Sequence, residues 1–356
     1  MDKGKLQAAV IGCGSIANGS HIPHYAANPD VELKYFCDIV PERADKAARA
    51  CGGKAVYDHR EILNDPALDF VSVCTHNDTH APVSIDFLRA GKDVLCEKPA
   101  ARTLPEALEM QKAAKESGRL LSIGVVNRFG AYNNLVKKMI DEGELGEVYH
   151  VYASFRAHRS IPGIGGDFTR KAVAGGGALI DWGVHYLDLA LYCCGEPKAL
   201  TASGETFCKL GRDIENYTYL SMWANRTKAA DGVYDVDDSC VGLVRTTGPV
   251  ISFHGAWAQN IGEAETYIDF MGGKGGIRLN YCSDFVYYTA QDGGLTKRSI
   301  ELPESDFYCD EINSFVNSVK TRAPNQAHID RTIEASKILD AIYRSSESHR
   351  EVVIGE

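Results

Sequence analysis

The first third of the chain alternates two textures, and that alternation constrains the fold more than any single motif. Strand-like runs "LQAAVIG", "VELKYFCD", "FVSVC", "DVLCEK" and "LLSIGVV" are apolar or β-branched and bounded by turn formers. Between them lie helix-like stretches such as "PERADKAARACG", with proline at its start and glycine past its end, and "APVSIDFLRAG". Strand and helix in strict alternation imply an α/β fold with a doubly wound parallel sheet and helices on both faces. After about Gly143 long alternating segments take over: "EVYHVYASFRAH", "NYTYLSMWA", "SCVGLVRTT", "VISFHGAWAQ" and "TYIDFMGG". These suit a large, mostly antiparallel open sheet with one face on a core. The pattern predicts domains at 1–126 and 127–326, with a last helix at about 327–347 packing back on the first. A chain of 356 residues has room for two ordinary cores.

Hydrophobic content of 44% and charged content of 24% argue against disorder, and no apolar run approaches the length of a membrane span. The amino-terminal stretch lacks a long apolar region with a small-residue cleavage site, so a cytoplasmic protein is expected. A net charge of −10, spread along the chain, makes nucleic acid a poor partner, since phosphate binding needs a basic footprint. None of the 11 cysteines forms a CxxC pair, and Cys13, Cys37, Cys74 and Cys96 fall in or beside strand-like runs. Buried thiols in a reducing compartment account for them better than disulfides or zinc. The adjacent Cys193 and Cys194 are read the same way.

"AAVIGCGSIA" sets Gly12, Gly14 and Ala17 directly after the first strand and at the start of a helix. The first glycine permits the tight turn, the second lets backbone approach a pyrophosphate, and the small third residue lets helix pack on strand. Ser15 and Ile16 then open a helix whose unpaired N–H groups favour phosphate oxygens. The second strand ends in Asp38, where a carboxylate accepts hydrogen bonds from ribose hydroxyls and repels a 2′-phosphate. NAD is therefore favoured over NADP, with Arg43 nearby as the one contrary sign.

In a doubly wound sheet the ligand lies outside the carboxyl ends of the strands. There the chain places "CTHNDTH", with Thr75, Asn77 and His80, and "CEKPA", with Glu97 and Lys98. Proline after Lys98 restricts its backbone, so the lysine is aimed. Further on, "GGGALIDWGVHYLDLALY" reads as a buried helix that carries charge. Ile180, Val184, Leu187 and Leu191 share one stripe; Asp181, His185 and Asp188 share the next.

Together, "VIGCGSIA", "CDIVPERA", "THNDTHAPVSIDFLRAGKDVLCEKPAARTLPEA", "NRFGAYNNLVKKMIDEGELGEV" and "GGGALIDWGVHYLDL" resemble the glucose-fructose oxidoreductase, inositol dehydrogenase and MocA family over nearly the whole chain. The resemblance implies an NAD-binding Rossmann domain followed by an α/β domain for substrate binding and oligomerisation. It makes Lys98, Asp181 and His185 the catalytic set. A histidine near neutral pKa suits removal of a hydroxyl proton as a carbonyl forms. Asp181 would orient the ring and stabilise its charged form, Lys98 would favour alkoxide character at the reacting oxygen, and the three glycines would leave room for substrate. Asp188 is read as structural.

Arg128, Arg156, His158 and Trp257 are candidates for the walls of a polar substrate pocket. "HIPH", His21 to His24, has metal-like spacing but no third ligand, so no metal is expected. The expected reaction is NAD-dependent oxidation or reduction at a secondary hydroxyl of a cyclic polyol, sugar or glycoside, as in an inositol dehydrogenase or glucoside 3-dehydrogenase. The polar, aromatic-bearing segments "FRAHRSIPGIGGDF" and "HGAWAQN" lean toward a substrate larger than a free monosaccharide. Two alternatives stay open. One is a glycosidase with bound, recycled NAD, for which Asp167, His158 and Tyr186 are available acids or bases; the other is a non-catalytic NAD-binding regulatory protein. A homodimer or homotetramer is expected, because one uncovered sheet face would leave an apolar patch in a monomer.

Overall fold

The structure, a computed structural model, describes residues 4–222, 224 and 226–355. The chain divides into two compact units, residues 1–129 with 306–333, and residues 130–305 with 334–356.

The first unit holds a six-stranded parallel sheet in the order β3-β2-β1-β4-β5-β6. Its strands are β1 (Leu6–Ile11), β2 (Val31–Cys37), β3 (Lys54–Val56), β4 (Phe70–Val73), β5 (Asp93–Glu97) and β6 (Leu121–Gly124). Helices α1 (Ile22–Ala27), α2 (Pro41–Cys51), α3 (Asn77–Arg89) and α4 (Leu104–Ser117) connect them. Alternate residues of β1 feed two separate cores, Ala9 and Ile11 on one face, Ala8 and Val10 on the other. That two-sided burial is why these strands read as nearly continuous apolar runs. Helix α2 begins on its proline and stops at Gly52 with φ +81°, as the sequence implied. The short edge strand β3 carried too little pattern to be read in advance.

The second unit is built on a nine-stranded sheet in the order β14-β13-β12-β11-β7-β10-β9-β8-β15. These are β7 (Val148–Arg156), β8 (Ala199–Phe207), β9 (Ser239–Thr246), β10 (Val250–Ala256), β11 (Glu265–Gly272), β12 (Gly275–Asn280), β13 (Phe285–Gln291), β14 (Gly294–Ser299) and β15 (Val352–Val353). All neighbours are antiparallel except β10 and β7. Helices α5 (Ala131–Asp141), α6 (Lys171–Ala174) and α7 (Val184–Cys193) belong to this unit. Val151, Ala153 and Phe155 of β7 join a core with α5 and α7 residues. By alternation, Tyr152, Ser154 and Arg156 face the other way.

Two expectations are corrected. The helix that returns to the first unit is α8 (Phe307–Thr321), whose Ile312, Phe315, Val316 and Val319 lie in one core with Phe70 and Leu95. The last helix, α9 (Ile329–Ser348), instead changes unit along its length. Ile329 and Ile333 lie in the first unit's core, and Ala335, Ile338, Leu339 and Ile342 in the second's. Nor is "NYTYLSMWA" a strand: its described residues form irregular chain. Tyr217 and Tyr219 there accept hydrogen bonds from the Ile161 and Ile164 N–H groups, each at 3.2 Å. Its Trp223 lies outside the described residues.

The sheet face away from the core is mixed. Leu243, Val286 and Leu295 lie on it, Leu295 94% exposed, while Arg156 and Glu265 form an ion pair there, Arg278 pairs with Asp269 across β11 and β12, and the Arg278 guanidinium lies 3.9 Å from the Tyr267 ring centroid. Among the described residues no helix is long and apolar enough to cross a membrane.

Candidate active site

Directly after β1, Gly12 has φ +90°, and a Cβ there would lie 2.6 Å from the Cys74 carbonyl oxygen. Only glycine can turn the chain at this point. A Cβ on Gly14 would meet nothing within 4 Å, so the surface beyond it is open to a ligand. The chain then enters helix, Ser15 exposed and Ile16 half-buried, and Ala17 is fully buried against the sheet. The Asp38 carboxylate accepts from the Cys13 N–H and the Val40 N–H, each at 2.8 Å. It clamps the glycine turn, and each oxygen keeps a second lone pair for a ribose hydroxyl. Beside it Ile39 is 89% exposed, an apolar cover for a flat base that sequence reading missed. These features fit a dinucleotide, and Arg43 is exposed one turn into α2.

At the ends of β4 and β5, Thr75 and Asn77 are half-buried, Asn77 opening α3. His80 is buried, with Nδ1 2.7 Å from the Pro99 carbonyl oxygen and Nε2 3.1 Å from that of Thr75. Burial holds its pKa below the usual value. One ring thus ties the two strand-end segments together, so His80 supports the site from behind rather than facing a ligand. Glu97 also turns inward, its Oε1 2.8 Å from His21 Nε2. Lys98, before a cis peptide bond to Pro99, stays partly exposed.

In the second unit Gly175 has φ +85°, and a Cβ on Gly176 or Gly177 would collide with the Tyr343 hydroxyl at 2.0 Å or the Asp237 carbonyl oxygen at 1.8 Å. The room left by the last two glycines is filled by protein, not by substrate. Asp237 explains the approach: its carboxylate accepts from the Gly177 and Leu179 N–H groups at 2.8 Å, and its backbone carbonyl accepts from Ala178. One residue thereby satisfies three successive donors at a helix start. Its neighbour Asp238 accepts from the Lys209, Leu210 and Gly211 N–H groups in the same way. Neither aspartate was anticipated; the available signal was two acids immediately before an apolar strand.

The helix begins with a π turn, Leu179–Gly183, before α7, a feature that recurs at functional sites. Across residues 178–193 every side chain is buried except Trp182 and His185. Asp181 is buried, and its Oδ2 accepts from Trp257 Nε1 at 3.1 Å. His185 meets the Tyr281 ring edge-on at 6.3 Å between centroids. Asp188 is 1% exposed, in keeping with a structural place.

The softer candidates separate. Trp257 is fully buried, so it holds Asp181 instead of lining a pocket. Arg128 is also fully buried, donating to the Gln326 carbonyl at 2.7 Å and the Arg331 carbonyl at 3.1 Å; these bonds fasten the 326–331 segment. Arg156 is paired with Glu265 on the sheet face opposite to Phe155, which stacks on Tyr186 of α7. His158 remains, with Arg159, Asn216, Thr218, Tyr219 and Leu220, around a cleft of about 310 Å³. Of the residues available to an elimination chemistry, Tyr186 is buried between Phe155 and Tyr281, and burial pushes its pKa well up. Asp167 is paired with Arg170. His21 binds Glu97 and Ser72, and His24 lies 3.4 Å from Asp306; among the described residues no group of three or more such side chains could hold a metal.

A parallel sheet with a glycine turn and a strand-end carboxylate, followed by an open-sheet unit, is the arrangement of nucleotide-dependent oxidoreductases. Residues 6–125 match the oxidoreductase family with the NAD-binding Rossmann fold, and residues 134–278 match the GFO/IDH/MocA C-terminal domain. The chain is 30% identical over 352 residues to D-glucoside 3-dehydrogenase of Escherichia coli, covering 98% of this chain and 97% of that one. It is 26% identical over 355 residues to inositol 2-dehydrogenase of Rhizobium meliloti, covering 98% and 99%. The fold matches that of levoglucosan dehydrogenase, solved in complex with NADH and levoglucosan, with a TM-score of 0.83 at 23% identity over 99% of this chain and 100% of that one. The protein belongs to the GFO/IDH/MocA family of oxidoreductases, and its first unit is an NAD-binding domain.

Proposed function

We propose that the protein oxidises, or in reverse reduces, a secondary ring hydroxyl of a sugar, cyclic polyol or glycoside, with a glucoside ahead of an inositol. The observation that carries this is His185, one of two openings in an otherwise buried helix, four residues after a carboxylate held by Trp257. NAD, when bound, supplies the hydride acceptor. His185 takes the hydroxyl proton as the carbonyl forms, and Asp181 stabilises the ring in its charged form. Lys98 donates a hydrogen bond to the reacting oxygen. Asp38 disfavours a 2′-phosphate and so selects NAD. The glucoside preference is supported by the full-length similarity to a glucoside dehydrogenase and by the cleft beside His158. We place the enzyme in a reducing compartment, the cytoplasm, on its free thiols. We assign it a homodimer or homotetramer joined through the open sheet face by polar and tyrosine contacts.

The test is NADH formation, followed by absorbance, with a panel of glucosides, free sugars and inositols, and NADP in parallel. Turnover with glucosides and NAD is expected, and Lys98→Met should lose most of it while still binding NAD. Aglycone release without net NADH, or full turnover by Lys98→Met, would overturn the assignment.

A further inference from the structure

Behind Lys98 the first unit holds a buried polar chain that the proposed chemistry does not use. His21, in the π turn Ala17–His21, is fully buried. Its Nε2 lies 2.8 Å from Glu97 Oε1 and its Nδ1 2.7 Å from Ser72 Oγ. Ser72 Oγ in turn accepts from the Tyr25 hydroxyl at 3.4 Å. The other Glu97 oxygen accepts from the Lys98 N–H at 3.1 Å. Gly124 makes room for this carboxylate, since a Cβ there would lie 3.2 Å from Glu97 Oε2.

Besides His21 and Lys98, the titratable groups that face Glu97 come from four other elements. Tyr25 on α1 and Cys74 after β4 are pushed up by burial, and His80 on α3 is pulled down by it. Glu311 on α8 is fully buried, neither carboxyl oxygen has a hydrogen-bond partner, and burial pushes its pKa well up. Burial thus favours the neutral form of each of these. Burial pushes Glu97 up as well, but the His21 hydrogen bond and charge and the Lys98 charge outweigh it and hold the carboxyl below its usual value. Of the two buried carboxyls, Glu97 is the one shifted toward its charged form.

We propose that His21 and Glu97 are a positioning pair for Lys98: His21 fixes the Glu97 carboxylate from behind, and that carboxylate, accepting from the Lys98 N–H, holds the lysine in place. Ser72 and Tyr25 fix the imidazole in turn. The proposal rests on the reading of Lys98 as the group that binds the reacting oxygen. Glu97 and His21 act through Lys98, and their removal lowers kcat while NAD binding stays in place.

The experiment is kcat, KM and NAD affinity, the last by fluorescence quenching, for Glu97→Gln and His21→Gln. In both variants kcat should fall about tenfold, because the lysine's support loses a charge-assisted bond, while KM and NAD affinity stay within twofold of wild type. Glu311→Gln should leave kcat in place. If one variant does not fold, the other decides. An unchanged kcat in a folded variant overturns this inference alone. Full turnover by Lys98→Met overturns the reading of Lys98 on which it rests.

Discussion

Glu311 makes a quantitative test of the buried chain that does not involve activity. It sits in α8 at 0% exposure, in the core that includes Phe70 and Phe315, with both oxygens unpartnered. An ionised carboxylate there would have no donor to replace water, so the folded protein keeps the proton. Below the ordinary glutamate value of 4.5 both folded and unfolded chains are protonated at this position. Above it the unfolded chain ionises while the folded one does not. The folded state then binds more protons, and stability falls as pH rises until the buried carboxyl itself ionises. Over that range the slope is about 1.4 kcal/mol per pH unit.

Glutamine has the shape of the protonated acid and does not titrate, so Glu311→Gln should remove the slope. Thermal unfolding of both proteins from pH 4.5 to 8 reads the difference. The two should melt together at the acid end, and the variant should gain on the wild type as pH rises above 4.5, at roughly 2–4 °C per kcal/mol for units of this size. Parallel curves would show that Glu311 ionises freely or finds a donor. A wild type that gains on the variant as pH rises would show that its charge is stabilised.

Two further changes probe the second unit. Trp257→Phe keeps an aromatic ring in the core but removes the Nε1–H that Asp181 accepts at 3.1 Å. A bond to a charged group is worth about 1.5–3 kcal/mol, so kcat should fall about ten- to hundredfold with NAD affinity unchanged; unchanged kcat would separate Asp181 from the chemistry. Gly177→Ala would bring a Cβ to 1.8 Å from the Asp237 carbonyl oxygen and displace the helix start that Asp237 holds. Urea unfolding should show a loss of about 3 kcal/mol, and a loss under 1 kcal/mol would mean that the backbone yields there at little cost.

The features legible in the sequence are those encoded by neighbours. The glycine turn, Asp38 at the end of β2 and the strand ends of the first unit are each set within a few residues of β-period or helix-start pattern, and the structure places them as read. Features that depend on distant partners were opaque. Arg128 looks like a pocket wall until the chain returns about two hundred residues later with the carbonyls of Gln326 and Arg331. Trp257 looks like one until its indole meets Asp181. "NYTYLSMWA" alternates like a strand because tyrosines at Tyr217 and Tyr219 face one way, and they do so to accept backbone N–H groups from another loop. Alternation reports a shared side, and only a partner strand makes that side a sheet.

The helix that carries Asp181 shows why charge in an apolar segment was still the best guide. The four residues of its apolar stripe, Ile180, Val184, Leu187 and Leu191, are all buried, but so are the residues between them, including Leu189, Ala190 and Tyr192. Such a helix has no solvent face on which a charge could sit without cost, so Asp181 and Asp188 must be held by the protein, and Trp257 is one of the holders. The π turn at Leu179–Gly183 alters the rotation between residues on either side of it, and Asp237 anchors that turn's first N–H groups. Three such devices hold this carboxylate in place, and four residues on, the half-open ring is His185.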